Sequence, residues 1–186
     1  MAQHVIVKEY NPLYPKLYNE EEKLIKKILD KNLVHIEHIG STSVPNLKSK
    51  PIIDILVSVN SLEEVDLKQK EFEAIGYEYM DEFGIKGRRY LRKGGNERTH
   101  QIHIFHKSDK NNLIRHIAFK NYLIKHPDIR GAYGELKENL AKKFPYDIDS
   151  YCDGKDAFIK KYEELAIEEF LINLCDYWQS VIYLTL

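Results

Sequence analysis

Neither sign of charge dominates this chain: 28 Lys and Arg stand against 29 Asp and Glu, for a net charge of -1. A protein that coats a polyanion carries a positive excess, so a nucleic-acid surface is not favoured, and any contact with phosphate has to be made by a local group of residues. Cysteine is scarce as well. Cys152 and Cys175 lie far apart without CxxC spacing, which signals neither a redox pair nor a zinc knuckle and predicts two free thiols in a reducing compartment. Long apolar runs are missing too: the greasiest stretch, FLINLCDYWQSVIYL, contains Asn173, Asp176 and Gln179 and falls short of the roughly 20 residues a membrane-spanning helix needs. It reads as a packed helix or, from Phe170 on, as a contact in a homodimer. The opening MAQHVIVKEYNPLYPKLY mixes charge and proline where a signal peptide would be apolar, so the expected location is the cytoplasm, with no membrane partner.

What is present is a change of pattern near the middle. Residues 18–30, YNEEEKLIKKILD, repeat Leu24, Ile25, Ile28 and Leu29 at helical intervals, and LVHIEHIG then alternates as a strand ending at Gly40. PIIDILVSV is almost continuously apolar and β-branched, the pattern of a central strand buried on both faces. A single helix is expected over 62–75, stopped by Gly76, followed by glycine-punctuated strands through His106. From Asn111 the spacing turns helical, with helices predicted to end before Pro127 and before Pro145 and a last one from about Gly154. No Ser/Gly-rich linker or internal repeat intervenes. The expected fold class is α+β: a small mixed sheet flanked by helices over 1–108, then a helical C-terminal cap over 109–186.

The residues that invite chemistry lie in HIGSTSVPNLKSKPIIDILV. Gly40, Ser41, Thr42 and Ser43 offer uncrowded backbone amides and three hydroxyls, and Pro45 is placed to open a short helix whose N-terminus would favour an anion. A serine-capped loop has the same look. Asp54 stands inside the apolar strand, where a carboxylate is costly unless it is paired, hydrogen-bonded or metal-bound. It either holds a cation or caps the turn's amides. Further along, THQIHIF carries His100 and His103, which could ligate metal, move a proton or sit hydrogen-bonded in the core. Glu37 and His38 could add to a shell, but only one of them can point into it.

The quoted motif resembles the signature of the GrpB-like family, a branch of the polymerase-beta-type nucleotidyltransferase superfamily, and RTHQIHIF, NYLIKHP and the spaced Tyr133, Lys137, Tyr151 and Lys155 resemble that family's pattern as well. The resemblance implies a nucleotidyltransferase-like core with an NTP bound in the cleft between core and cap. It implies phosphate contacts from Gly40, Ser41, Thr42, Ser43, Lys137 and Lys155; in the basic cluster GRRYLRKGGNER, Arg89 or Arg92 could clamp a triphosphate, while most of its cations read as a solvated hairpin edge. Asp54 and His103 would then be the catalytic pair and the ligands of a divalent metal, Mg or Mn, with Zn the softer option that a histidine ligand admits. One departure stands out: the superfamily's second carboxylate position, on the same face of the strand as Asp54, is Leu56. The expected function is therefore metal-dependent nucleotidyl transfer to an unknown acceptor. The alternative is a degenerate relative that binds a nucleotide or phosphorylated metabolite without turnover, and whether the chain is an enzyme stays open at this point.

Overall fold

The computed structural model describes residues 4–183, with side chains described through Leu174. The chain runs α1 (Tyr14–Leu29), β1 (Leu33–Ile39), β2 (Ile53–Val59), α2 (Leu62–Asp66), α3 (Gln69–Ala74), β3 (Tyr77–Tyr79), β4 (Arg88–Lys93), β5 (His100–His106), α4 (Lys110–Lys125), α5 (Pro127–Lys143) and α6 (Ile148–Tyr183). The strands form one mixed sheet in the order β1-β2-β5-β4-β3, with β2 and β5 parallel and the other pairs antiparallel. The fold is α+β, as the alternation of patterns predicts.

The β2 strand is buried on both faces, and the two faces do different things. Ile53, Ile55, Val57 and Val59 pack with Ile102 and Ile104 of β5 under α1, α2 and α3, in a core that includes Ile25, Leu29, Val65 and Phe72. β-branched side chains suit this pleated, enclosed surface. Asp54, Leu56 and Ser58 alternate to the other face, where Leu56, Ile39 and Phe105 meet Leu113 and Ile117 of α4. The helical half thus covers the sheet face that carries Asp54.

The two halves interlock. Leu123 of α4 and Tyr133 of α5 bury Val44 and Leu47 from the loop after β1. Val5 packs against Ala141 and Tyr151 and its amide donates to the Pro145 carbonyl at 2.8 Å, so residues before α1 run along the helical half. Gly154 lets α6 lie close to α5, since a Cβ there would stand 2.4 Å from Leu140 Cδ2.

Several local expectations change. The helix expected over 62–75 is two, α2 and α3, with Leu67 81% exposed at the break; redirecting the chain there lets both Val65 and Phe72 reach the core under the twisted sheet. Pro45 opens no helix: after the 3-10 turn at Ser41–Ser43 it sits in a tight turn from Val44 to Leu47, with the Leu47 amide donating to the Val44 carbonyl at 3.3 Å and Asn46 at φ 64°. The first helix starts at Tyr14, α5 begins at Pro127 and α6 at Ile148, each upstream of its expected start. Proline is well tolerated in a first helical turn, where its missing N–H is not needed.

Candidate phosphate-binding site

The two glycine-turn residues Gly40 and Ser41, together with Asp54, open onto a cavity of about 640 Å³ between the sheet and the helical half. The chain reaches it through a tight relay. Gly40 has φ 68° and ψ -173°, a conformation essentially reserved for glycine. Its bare α-carbon also leaves room for the Asp54 side chain, which a Cβ would strike at 2.3 Å from Oδ2. The residues after Gly40 do not all face the cavity. Thr42 is 1% exposed; its hydroxyl donates to the Ile52 carbonyl at 2.9 Å and pairs with His38 Nε2 at 3.0 Å. The Ser43 hydroxyl donates to the Gly40 carbonyl at 2.6 Å. Those two hydroxyls brace the turn, which leaves Ser41 as the hydroxyl on the cavity side.

Ser41 accepts a hydrogen bond from Lys137 Nζ at 2.9 Å. Lys137 rises from α5 and is 2% exposed, with its ammonium 4.4 Å from the centre of the Tyr133 ring. Lys155 on α6 lies 4.6 Å from the Tyr151 ring, and Lys50 approaches the same ring at 5.4 Å. Each Tyr and Lys one turn apart on a helix share a side, so α5 and α6 deliver two aromatic-backed lysines to one place. Burial pushes the Lys137 ammonium well below the usual lysine range; the charge of Lys155 adds to this, and Asp54 opposes it. Burial lowers Lys155 too, and lowers Lys50 with Lys155 pushing the same way. Among the described residues none of these three lysines has a carboxylate within ion-pair distance.

Other cations line the walls. Arg92 lines the cavity and is held bidentately by Glu78, at 2.5 and 2.9 Å. Arg115 is held by Glu163 at 3.2 Å, and Lys120 pairs with Glu37. Arg98 lines the cavity without a carboxylate partner among the described residues. Among the described residues, four buried polar atoms on this lining have no hydrogen-bond partner: Ser49 Oγ, Arg98 Nε, Arg115 Nε and His116 Nε2. Buried polar groups are nearly always satisfied, so a cluster of orphans around one cavity is what a polar ligand would complete.

Strand parity corrects three of the expected site residues. Arg89 lies on the opposite face of β4 and is spent on Asp66, at 2.6 and 2.8 Å; the cavity-facing positions of that strand are Tyr90 and Arg92. His100 and His103 are three residues apart, so they point to opposite faces: His100 looks toward Glu21 and Lys93, whereas His103 shares the face of Asp54. His38 points toward α1, stacking on Tyr18 with centroids 4.9 Å apart, and burial drops its pKa to about 4; Glu37 takes the other face.

His103 sits below the cavity wall, its ring 5.3 Å from that of Tyr90 and 5.4 Å from that of His116. Its Nε2 is 3.9 Å from Asp54 Oδ1 and its Nδ1 3.4 Å from Arg88 Nη1. The residue opposite Asp54 on β5 is Gln101, which lines the cavity, while His103 is opposite Leu56. Leu56 is fully buried. Asp54 and His103 are therefore two donors with no third: among the described residues no three His, Cys, Asp or Glu side chains converge as a metal-holding group. A hard divalent cation wants several oxygen ligands in near-octahedral array, and here Asp54 is the one central carboxylate, since Glu163 is tied to Arg115 and Asp149 is exposed, in a cavity otherwise lined by ammonium and guanidinium groups. These residues do not fit a resident divalent metal.

Sequence reasoning missed Lys50, Gln101, Arg115, His116 and Lys120 as lining residues, offered Arg92 beside Arg89 as a clamp, and left Arg98 in a solvated hairpin edge. Lys50 was legible in principle, standing four positions before Asp54. The residues of α4 carried no signal, since their inward face emerges only when that helix crosses the sheet.

Comparison with known proteins places these features in a family context. The profile of a family described as "GrpB protein" matches residues 4–165. UPF0157 protein YqkA of Bacillus subtilis is 42% identical over 157 residues, 84% of this chain and 46% of that protein, so the chain spans about half the length of that curated relative. Among solved structures, conserved protein GrpB from Enterococcus faecalis superposes with a TM-score of 0.87 at 53% identity, covering 89% of this chain and 99% of that one. Cid1 poly(U) polymerase aligns with 71% of this chain and 45% of its own at a TM-score of 0.44 and 11% identity, too distant to bear on activity.

Proposed function

The chain belongs to the GrpB family, and we propose that its cavity binds a phosphorylated small molecule, with a nucleoside triphosphate the first candidate. One observation carries this reading: Lys50, Lys137 and Lys155 are brought together in a partly enclosed space with no carboxylate among the described residues pairing them. Placing cations this way is costly in a ligand-free protein, and a bound polyanion would offset the cost through charge-assisted hydrogen bonds. The stacked rings of Phe83 and Tyr90 on the same lining, with centroids 5.0 Å apart, give an aromatic surface for a base.

Nucleotidyl transfer is the second reading, favoured by one contact, the approach of His103 to Asp54 at 3.9 Å. In that reaction an acceptor hydroxyl would attack the α-phosphorus, pyrophosphate would leave, and Asp54 would take the hydroxyl proton, with His103 stabilising the carboxylate's orientation. Leu56 weighs against it, since the position that would supply a second carboxylate is an apolar side chain.

Equilibrium dialysis of ATP, GTP, CTP and UTP against the intact chain tests the first reading. Saturable binding of at least one nucleotide is expected; no binding at millimolar concentration overturns it. Chromatography of a bound nucleotide after incubation then separates the two readings, because release of pyrophosphate requires transfer and an unchanged nucleotide does not.

A further inference from the structure

The charge arrangement says more than that a phosphate fits. Where a site receives a nucleotide together with a divalent cation, carboxylates hold the metal and the metal neutralises the phosphates. Here the carboxylates facing the cavity are Asp54, Asp149 and Glu163. Glu163 is tied to Arg115, and Asp149 is exposed at the rim. Asp54 alone remains at the centre. Against it stand Lys50, Arg98, Lys137 and Lys155, none of them paired with a carboxylate among the described residues, plus the orphaned Nε atoms of Arg98 and Arg115. A cation arriving with the ligand would meet these like charges and find one central carboxylate.

We propose that the site takes its polyphosphate as the metal-free anion, with Lys50, Arg98, Lys137 and Lys155 doing the neutralising that a divalent cation does elsewhere. The inference rests on the phosphorylated-ligand reading above and narrows it to the uncomplexed polyanion. Guanidinium and ammonium groups suit this task differently: Arg98 offers a planar fork for two phosphate oxygens, while the lysines act as point charges that can follow the chain of phosphates. Lys137, already hydrogen-bonded to Ser41, is positioned to hold an oxygen beside the Gly40 turn.

Isothermal titration of the intact chain with ATP and with inorganic tripolyphosphate, each in EDTA and in excess MgCl₂, tests the proposal. Binding of both anions in EDTA is expected, weakened several-fold by Mg²⁺, which withdraws charge from the ligand. Lys50→Gln and Lys155→Gln should each lose about tenfold in EDTA, with folding checked by circular dichroism. Binding that requires Mg²⁺, or variants that bind as the parent does, overturns the metal-free assignment and leaves the phosphorylated-ligand reading standing. Failure of both anions in both buffers instead removes that reading along with this one.

Discussion

The Asp54 carboxylate occupies the space in front of the Gly40 α-carbon, so closely that a Cβ on Gly40 would lie 2.3 Å from Oδ2 and 2.9 Å from Asp54 Cβ. Strand β2 and the turn after β1 are thereby fitted to one another, and the carboxylate and Ser41 come to share a cavity. Gly40→Ala is expected to cost about 1–3 kcal/mol from backbone conformation alone, plus the displacement of Asp54. In an Asp54→Ala background the second part should shrink, because the approach to Oδ2 is gone and only the 2.9 Å approach to Cβ remains, giving a coupling energy in a urea-unfolding double-mutant cycle. Simple additivity of the two changes would show that the contact does not constrain the turn.

Lys137 should set stability against binding. Its folded-state pKa lies below the ordinary 10.5, so between the two values the unfolded chain holds more protons and stability rises with pH. Lys137→Met removes that burial penalty. It is expected to stabilise the ligand-free protein at neutral pH by about 1–3 kcal/mol, visible as a higher melting temperature, while abolishing stabilisation by ATP. An anion beside Lys137 would also draw its pKa back up, so affinity should fall as pH rises through the window above the depressed value, with proton uptake seen as a buffer-dependent binding enthalpy. A variant that melts lower and still responds to ATP would show a merely structural lysine.

His38 predicts acid sensitivity. Its pKa falls from 6.5 to about 4, chiefly through burial, so between those values the unfolded state takes up the proton first and stability declines as pH drops. The slope from this group is at most about 1.4 kcal/mol per pH unit. His116, also pushed down by burial and by His103, adds in the same direction. Urea unfolding at pH 7 and pH 5 should show the decline, and His38→Gln should flatten part of it; an unchanged slope would place the sensitivity elsewhere.

Cys152 is a free, exposed thiol on the cavity lining, beside Tyr151 and three residues before Lys155 on α6. Alkylation by iodoacetamide, read as mass added at Cys152, should slow in the presence of tripolyphosphate, which would occupy the space its reagent crosses. Equal rates with and without the anion would mean that the ligand binds away from α6. The side chain of Cys175, the other expected free thiol, and the end of the apolar tail considered for a homodimer lie outside the described side chains.

The sequence by itself determined the elements whose signal is local. The β-branched run of β2 could only be an enclosed strand, and the odd carboxylate in it, Asp54, marked the site because charge inside an apolar pattern demands a reason. The Tyr133/Lys137 and Tyr151/Lys155 spacings likewise put each pair on one helical side. Tertiary structure decided which of the candidates meet. Arg89 and Arg92 are equivalent in composition, yet the register of β4 sends the first to Asp66 and the second toward the cavity. Thr42 and Ser43 look like ligand contacts in a Gly-Ser-Thr-Ser turn, but they bond to the Ile52 and Gly40 carbonyls. Lys50, Arg98 and Arg115 came to line one cavity with Lys137 only when α4, α5 and α6 closed over the sheet. Local pattern sets which way a side chain leaves its own element, whereas the charge of a cavity is a sum over elements distant in sequence, and that sum exists only after they pack.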